Sequence, residues 1–156
     1  MQIGRENSLG IRVIPPLVYL AGGGIGYGLE NAWPMVERPW PWTVGLAVVA
    51  ISLSALIVVS AISSFRKVST PFDVRKPATS LVTDGPYRFS RNPGYLALTL
   101  FYVGITIFLG SVWMLLLLAP ILLVMHFDVV RKEEKHLESR FGEDYLRYKS
   151  RVRRWI

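Results

Sequence analysis

An all-α integral membrane protein with about four transmembrane helices is the fold class this sequence predicts, on three observations. Hydrophobic residues make up 51% of the 156-residue chain, yet its formal net charge is +7. The apolar residues gather into four runs, Val13–Ala32, Val44–Ser64, Tyr95–Gly110 and Val112–Val130. All but one of the 18 positive charges avoid every second connection between those runs. A soluble domain of this size could not bury so much apolar surface in one core, whereas a membrane protein with basic segments on one face accommodates both features.

The first run follows Arg5 and Arg12 and lacks a small-x-small cleavage pattern, so it reads as a retained helix rather than a signal peptide. Inside it, Ala21-Gly22-Gly23-Gly24-Ile25-Gly26-Tyr27-Gly28 only superficially resembles a nucleotide-binding loop. No strand precedes it, and Gly22 with Gly26, and Gly24 with Gly28, give the small-xxx-small spacing of close helix packing. The second run is long enough to cross a bilayer, since some 20 residues at about 1.5 Å each cover a hydrocarbon core of about 30 Å. Only serines interrupt Leu46–Ile62, and serines can bond back into their own helix. The last two runs are shorter and touch at Gly110-Ser111, which predicts a tight antiparallel hairpin.

The charges set the orientation. Of the 18 Lys and Arg, only Arg38 lies in the connection between the first two helices, and none lies at the Gly110 turn. The others precede the first helix, lie in the middle connection (Arg66, Lys67, Arg75, Lys76, Arg88, Arg91) or follow the fourth, from Arg131 to Arg154. The N-terminus, middle connection and C-terminal tail are therefore expected on the cytoplasmic side. The Trp33–Trp42 connection, rich in Trp and Pro, suits the opposite interface. A single domain over residues 1–156 is expected, with a helical pair at about 13–64. There is no cysteine and there are 2 histidines, which excludes thiolate chemistry and argues against any metal site. Topology already accounts for the basic charge, so no nucleic-acid partner is expected.

The middle connection, Phe65–Gly94, is long for a compact protein and therefore a candidate for function. It carries Leu81, Val82, Tyr87, Phe89 and Tyr95 at its end, so it is expected to pack. Asp84-Gly85-Pro86 marks a turn and Asn92-Pro93 a helix start. The intervening Tyr87, Arg88, Phe89, Ser90 and Arg91 suit either interfacial anchoring or a site. The tail reads as a continuation of the fourth helix. At about 100° per residue, His126, Val130, Glu133, Leu137 and Phe141 share a stripe, with Glu134 on its flank. Asp128 and Arg131, three apart, are placed to pair. The two glutamates either solvate a helix end or, with His126, form a polar constellation at the membrane boundary. Gly142 then suits a C-cap, followed by a short amphipathic helix with Tyr145, Tyr148 and Val152 on one side and Trp155 as an interfacial anchor.

The run Leu81-Val82-Thr83-Asp84-Gly85-Pro86-Tyr87-Arg88-Phe89-Ser90-Arg91-Asn92-Pro93-Gly94-Tyr95 resembles the GxY…R[HN]PxY signature of the isoprenylcysteine carboxyl methyltransferase family and its phospholipid methyltransferase relatives. After the hairpin, Glu133-Glu134-x-x-Leu137 and Phe141-Gly142-Glu143-Asp144-Tyr145-Leu146-Arg147-Tyr148-Lys149 look like that family's EE motif and FGxxYxxY tail. The likeness covers about residues 79–156. It implies a loop and tail enclosing a pocket for S-adenosyl-L-methionine, with S-adenosylhomocysteine as product. Thr79, Ser80, Leu81 and Val82 would line the adenosine, and Tyr87 with Asn92, Pro93, Gly94 and Tyr95 would shape the pocket. Glu133 would hold the cationic amino-acid end, and tyrosine faces can stabilise a sulfonium.

The implied reaction is methyl transfer to a lipid-like or prenylated acceptor, foremost carboxyl O-methylation of an isoprenylcysteine-like substrate, with phospholipid or amine N-methylation as the alternative. A carboxylate acceptor needs no base, whereas an amine would, and His126 is then the candidate. The prenylcysteine enzymes carry a substrate-contacting arginine four residues before the first glutamate, where this chain has Val129. Arg131 is the nearby arginine and second catalytic candidate, although about 160° round the helix from Glu133. An NADPH-dependent membrane reductase fits less well, because adjacent glutamates favour a cationic cofactor over a phosphate-rich one. A non-enzymatic membrane scaffold would bind no cofactor.

Overall fold

The computed structural model describes residues 13–35, 41–67 and 80–156, and among these it contains helices and turns but no strand. Helix α1 spans Pro15–Ala32, α2 Pro41–Lys67 and α3 Pro93–Leu109. Each begins with proline, whose missing N–H costs nothing in a first turn. Helix α4, Val112–Val124, runs through a π-helical turn, Met125–Val130, into α5, Arg131–Phe141, and α6 covers Glu143–Arg151. The α3–α4 hairpin forms as expected. Gly110 closes α3 in the left-handed region (φ 65°), and the Ser111 hydroxyl caps α4 by accepting from the Met114 amide at 3.2 Å.

Small residues decide how the helices pair. On α2, Ala47, Ser54 and Ala61 recur every seven residues and are buried against α3. Ser54 donates across the seam to the Ala97 carbonyl at 2.7 Å, rather than back into its own helix as Ser63 does to Val59 at 2.8 Å. Gly104 admits α2 closely, because a Cβ there would stand 2.7 Å from Ile51 Cγ1. Helix α1 lies along α4, and a Cβ at Gly26 would stand 2.9 Å from Met114 Cα. Gly22 meets the side chain of Ile121, its Cγ1 3.0 Å from an added Cβ, whereas Gly24 and Gly28 face open space. Of the two glycine pairs read from the sequence, only the first is a packing face. Glu30 ties this end of the bundle together by accepting from the Ser111 hydroxyl and the Met35 amide, both at 2.9 Å.

The core is a column of Tyr19, Tyr95, Tyr102, Met114, Ile121, Met125, Val129 and Val130. Each buried phenol is satisfied: Tyr19 pairs with Thr99 at 2.8 Å, Tyr102 donates to the Met114 carbonyl at 2.9 Å, and Tyr95 donates to Glu133 at 2.8 Å.

Two helices are long and apolar enough to cross a membrane, Pro41–Arg66 and Val112–Phe141. Their most apolar windows are only 17% and 22% buried, the reverse of a soluble core helix, so the apolar surface faces outward, where lipid solvates it. The other two expected spans fall short of that test. The third, α3, has 17 residues, and α1 is diluted by its glycines and by Glu30.

Candidate functional site

At the end of the bundle where α2 finishes and α3 begins, five segments converge: the 3-10 turn Gly85–Arg88, the first turn of α3, α5, α6 and the C-terminal residues. The π turn decides which face of α5 enters. A π turn holds one residue more than an α turn, so everything beyond it lags by about 100° behind a regular count. The sequence reading put His126 in line with Glu133. In the structure His126 instead joins Glu134 through Arg154, whose Nη1 lies 3.5 Å from His126 Nε2, and Glu133 turns toward Tyr95. The same phase change separates Asp128 from Arg131. Asp128 pairs with Lys132 at 2.8 Å, and the exposed Arg131 stacks over the Phe127 ring at 5.6 Å. Arg131 therefore does not join the cluster.

The two glutamates occupy different surroundings. Glu133 accepts from the Tyr95 hydroxyl at 2.8 Å, and no Lys or Arg among the described residues pairs with it. Glu134, 5% exposed, receives a two-pronged contact from Arg154, through Nε at 2.9 Å and Nη2 at 2.7 Å, and stands 3.3 Å from Arg91 Nη1.

The chain end is strapped over this cluster. The Arg91 amide donates to the Arg153 carbonyl at 2.9 Å, and Asn92 Nδ2 and Ser90 Oγ donate to the Arg154 carbonyl at 3.0 and 3.3 Å. Asn92 thus spends its side chain on the C-terminus rather than on capping α3. Trp155, expected at the membrane interface, packs on the core. Tyr148 donates to the Tyr87 carbonyl at 2.7 Å, and the Tyr87 ring lies edge-on to Phe65 at 5.5 Å.

Burial, with the Glu134 charge second, pushes the Tyr145 phenol up to about 12. Burial also raises Tyr87, with Glu133 next, and raises Tyr148. Both therefore stay neutral hydroxyls in the physiological range. The hydrogen bonds to Glu134 raise Arg154 further, so its charge is permanent.

Among the sequence-predicted pocket residues, Val82, Asn92, Pro93 and Tyr95 are buried, and Ser80, Leu81, Tyr87, Gly94 and Glu133 are partly buried. Thr79 lies outside the described residues. Arg154, Tyr145 and Tyr148 were not singled out as site residues, and Arg91 was read only as part of a basic and aromatic cluster. The run Arg153-Arg154-Trp155 could have flagged this segment, since an aromatic beside two arginines offers both a packing surface and charge. Glu133 beside Tyr95, within electrostatic reach of Tyr87, suits an organic cation, to which a carboxylate and ring faces both contribute. On the outer side of the 3-10 turn, an open groove of about 760 Å³ is lined by Leu56, Ile57, Ser60, Pro86, Arg88 and Phe89.

Residues 42–144 match the sequence model of a family described as phospholipid methyltransferase. An uncharacterized protein of Haemophilus influenzae is 42% identical over 64 residues, which span 40% of this chain and 98% of that protein. The protein-S-isoprenylcysteine O-methyltransferase of Schizosaccharomyces pombe is 33% identical over 72 residues, 46% of this chain but only 30% of the yeast enzyme's length. No solved structure gives a match.

Proposed function

Because the chain belongs to the phospholipid methyltransferase family, we propose that it transfers a methyl group from S-adenosyl-L-methionine to a lipid-like or prenylated acceptor, foremost the carboxylate of an isoprenylcysteine-like substrate. The observation that carries this reading is Glu133, a partly buried carboxylate hydrogen-bonded to Tyr95 and without a basic partner among the described residues. Such a group suits a ligand that brings its own positive charge. The donor supplies a methyl group already activated on a cationic sulfur. What remains for the protein is to hold, align and exclude water.

Each part of the site has a task in that scheme. Glu133 and the Tyr87 and Tyr95 rings hold the cationic end of the donor. Ser80, Leu81 and Val82, together with the first turn of α3, line the adenosine side. The C-terminal strap closes the cluster against water. An acceptor carboxylate is ionised at neutral pH and needs no base. His126, beside Arg154, is the side chain that would accept a proton from an amine acceptor. The yeast relative's name supports O-methylation, while Val129, standing where the prenylcysteine enzymes carry arginine, is fully buried in the core. For the membrane arrangement we propose four crossings with both termini cytoplasmic. The support is the one-sided placement of Lys and Arg along the sequence.

Calorimetric titration of the detergent-purified chain with S-adenosylhomocysteine and with NADPH tests the reading. The expected result is binding of the first only, weakened about tenfold or more in Glu133→Gln and less in Tyr95→Phe. Binding of NADPH alone would overturn the methyltransferase reading. A reporter fused after Ile156 should read cytoplasmic, and an opposite signal refutes the proposed orientation.

A further inference from the structure

We propose that Arg91 and Arg154 form, next to Glu133, the cationic half of a clamp for a zwitterionic α-amino acid group, binding the carboxylate at the amino-acid end of the methyl donor. The inference rests on the methyl-donor reading above and deepens it.

Glu133 and Glu134 are sequence neighbours with opposite electrostatic settings. Glu133 meets a neutral phenol. Glu134 meets two guanidiniums, Arg154 through both of its oxygens and Arg91 at 3.3 Å, and one carboxylate neutralises only one of them. The surplus cation is buried, because the Arg91 side chain is 9% exposed. Its Nε and Nη1 find no hydrogen-bond acceptor among the described residues, the approach of Nη1 to Glu134 being off the hydrogen-bond line. A buried guanidinium with unanswered N–H groups is costly unless an anion meets it. Arg154 adds an Nη1 edge that does not reach Glu134 and makes only the 3.5 Å approach to His126.

The anionic and cationic lobes border one another. The Tyr145 hydroxyl is within hydrogen-bonding reach of Arg91 and feels the charges of both Glu134 and Glu133. An α-amino acid group carries its ammonium and carboxylate on the same carbon, so it presents both charges side by side to neighbouring lobes of opposite sign. A simple organic cation would answer Glu133 and leave Arg91 unanswered. A simple anion would do the reverse. A zwitterion answers both.

The test compares two ligands on the full-length chain in detergent by calorimetry: S-adenosylhomocysteine and its decarboxylated analogue, which keeps the adenosine, the thioether and the ammonium. The wild-type protein should bind S-adenosylhomocysteine about tenfold or more tightly than the analogue. Arg91→Gln should abolish that preference by weakening S-adenosylhomocysteine alone, with affinity for the analogue unchanged. Arg91 is buried and its loss could disturb folding, so the more exposed Arg154→Gln is titrated in parallel and should narrow the same preference. The wild-type comparison itself needs no variant. Equal wild-type affinity for both ligands overturns the clamp and leaves the methyl-donor reading standing. If neither ligand binds, the methyl-donor reading falls and the clamp with it.

Discussion

Replacing Gly26 by alanine should destabilise the bundle, whereas the same replacement at Gly28, half a turn further along α1, should stabilise it. At Gly26 the added methyl would stand 2.9 Å from Met114 Cα and 3.0 Å from Met114 N. Ordinary carbon contacts begin at about 3.5 Å, so α1 and α4 would have to separate by roughly half an ångström, because backbone atoms cannot rotate aside. Overpacking of this kind costs about 1–3 kcal/mol. The better helix propensity of alanine returns about 1 kcal/mol, leaving a net loss of up to about 2 kcal/mol. At Gly28 nothing lies within 4 Å, and only the propensity gain remains. With about 2–4 °C per kcal/mol for a chain of this size, the Tm should fall by up to roughly 8 °C for Gly26→Ala and rise by roughly 2–4 °C for Gly28→Ala. Thermal unfolding in one detergent reads both. A Tm for Gly26→Ala at or above that of Gly28→Ala would refute the assignment of α1's packing face.

Other predictions concern the chain end. Arg154→Ala should cost about 1–2 kcal/mol, less than the 3–5 of a fully buried pair, because its side chain is 32% exposed and Arg91 still faces Glu134. A double-mutant cycle with Glu134→Gln should show coupling, and simple additivity would contradict the contact. Tyr145 has its pKa raised from 10 to about 12 in the folded chain. Its protonated form is therefore favoured by folding, and its contribution is complete below pH 10 and lost as pH rises through about 12. Tyr145→Phe should accordingly flatten the fall of Tm over that alkaline interval, and an unchanged slope would show that other groups govern it.

The helices were legible because their signals are local: proline starts, the Gly110 stop and long apolar runs. The cofactor-side motif from Tyr87 to Tyr95 was legible by resemblance. What stayed hidden depends on pairings the sequence does not spell out. Nothing in Met125–Val130 announces an i→i+5 turn, so a regular count put His126 in line with Glu133 and sent Asp128 to Arg131. Arg154 lies 20 residues from Glu134, and only the fold of α6 brings them together. Ser54 reads as a back-bonding serine until α3 is laid against it. The length of α3, 17 residues, falls short of the criterion that α2 meets, because about 25 Å of helix is less than a hydrocarbon core.

The wide turn at Met125–Val130 also determines where this chain can lose a residue. A regular helix with one residue fewer between His126 and Glu134 would bring those two side chains to nearly the same bearing, because the turn already carries the surplus unit. A one-codon deletion inside it should therefore be absorbed with a shortening of about 1.5 Å. The same deletion within Arg131–Phe141 would swivel every later side chain by about a quarter turn or more and unhitch α6 from its seat. The turn is a slack link, able to give up its one surplus residue while the polar end keeps its aim.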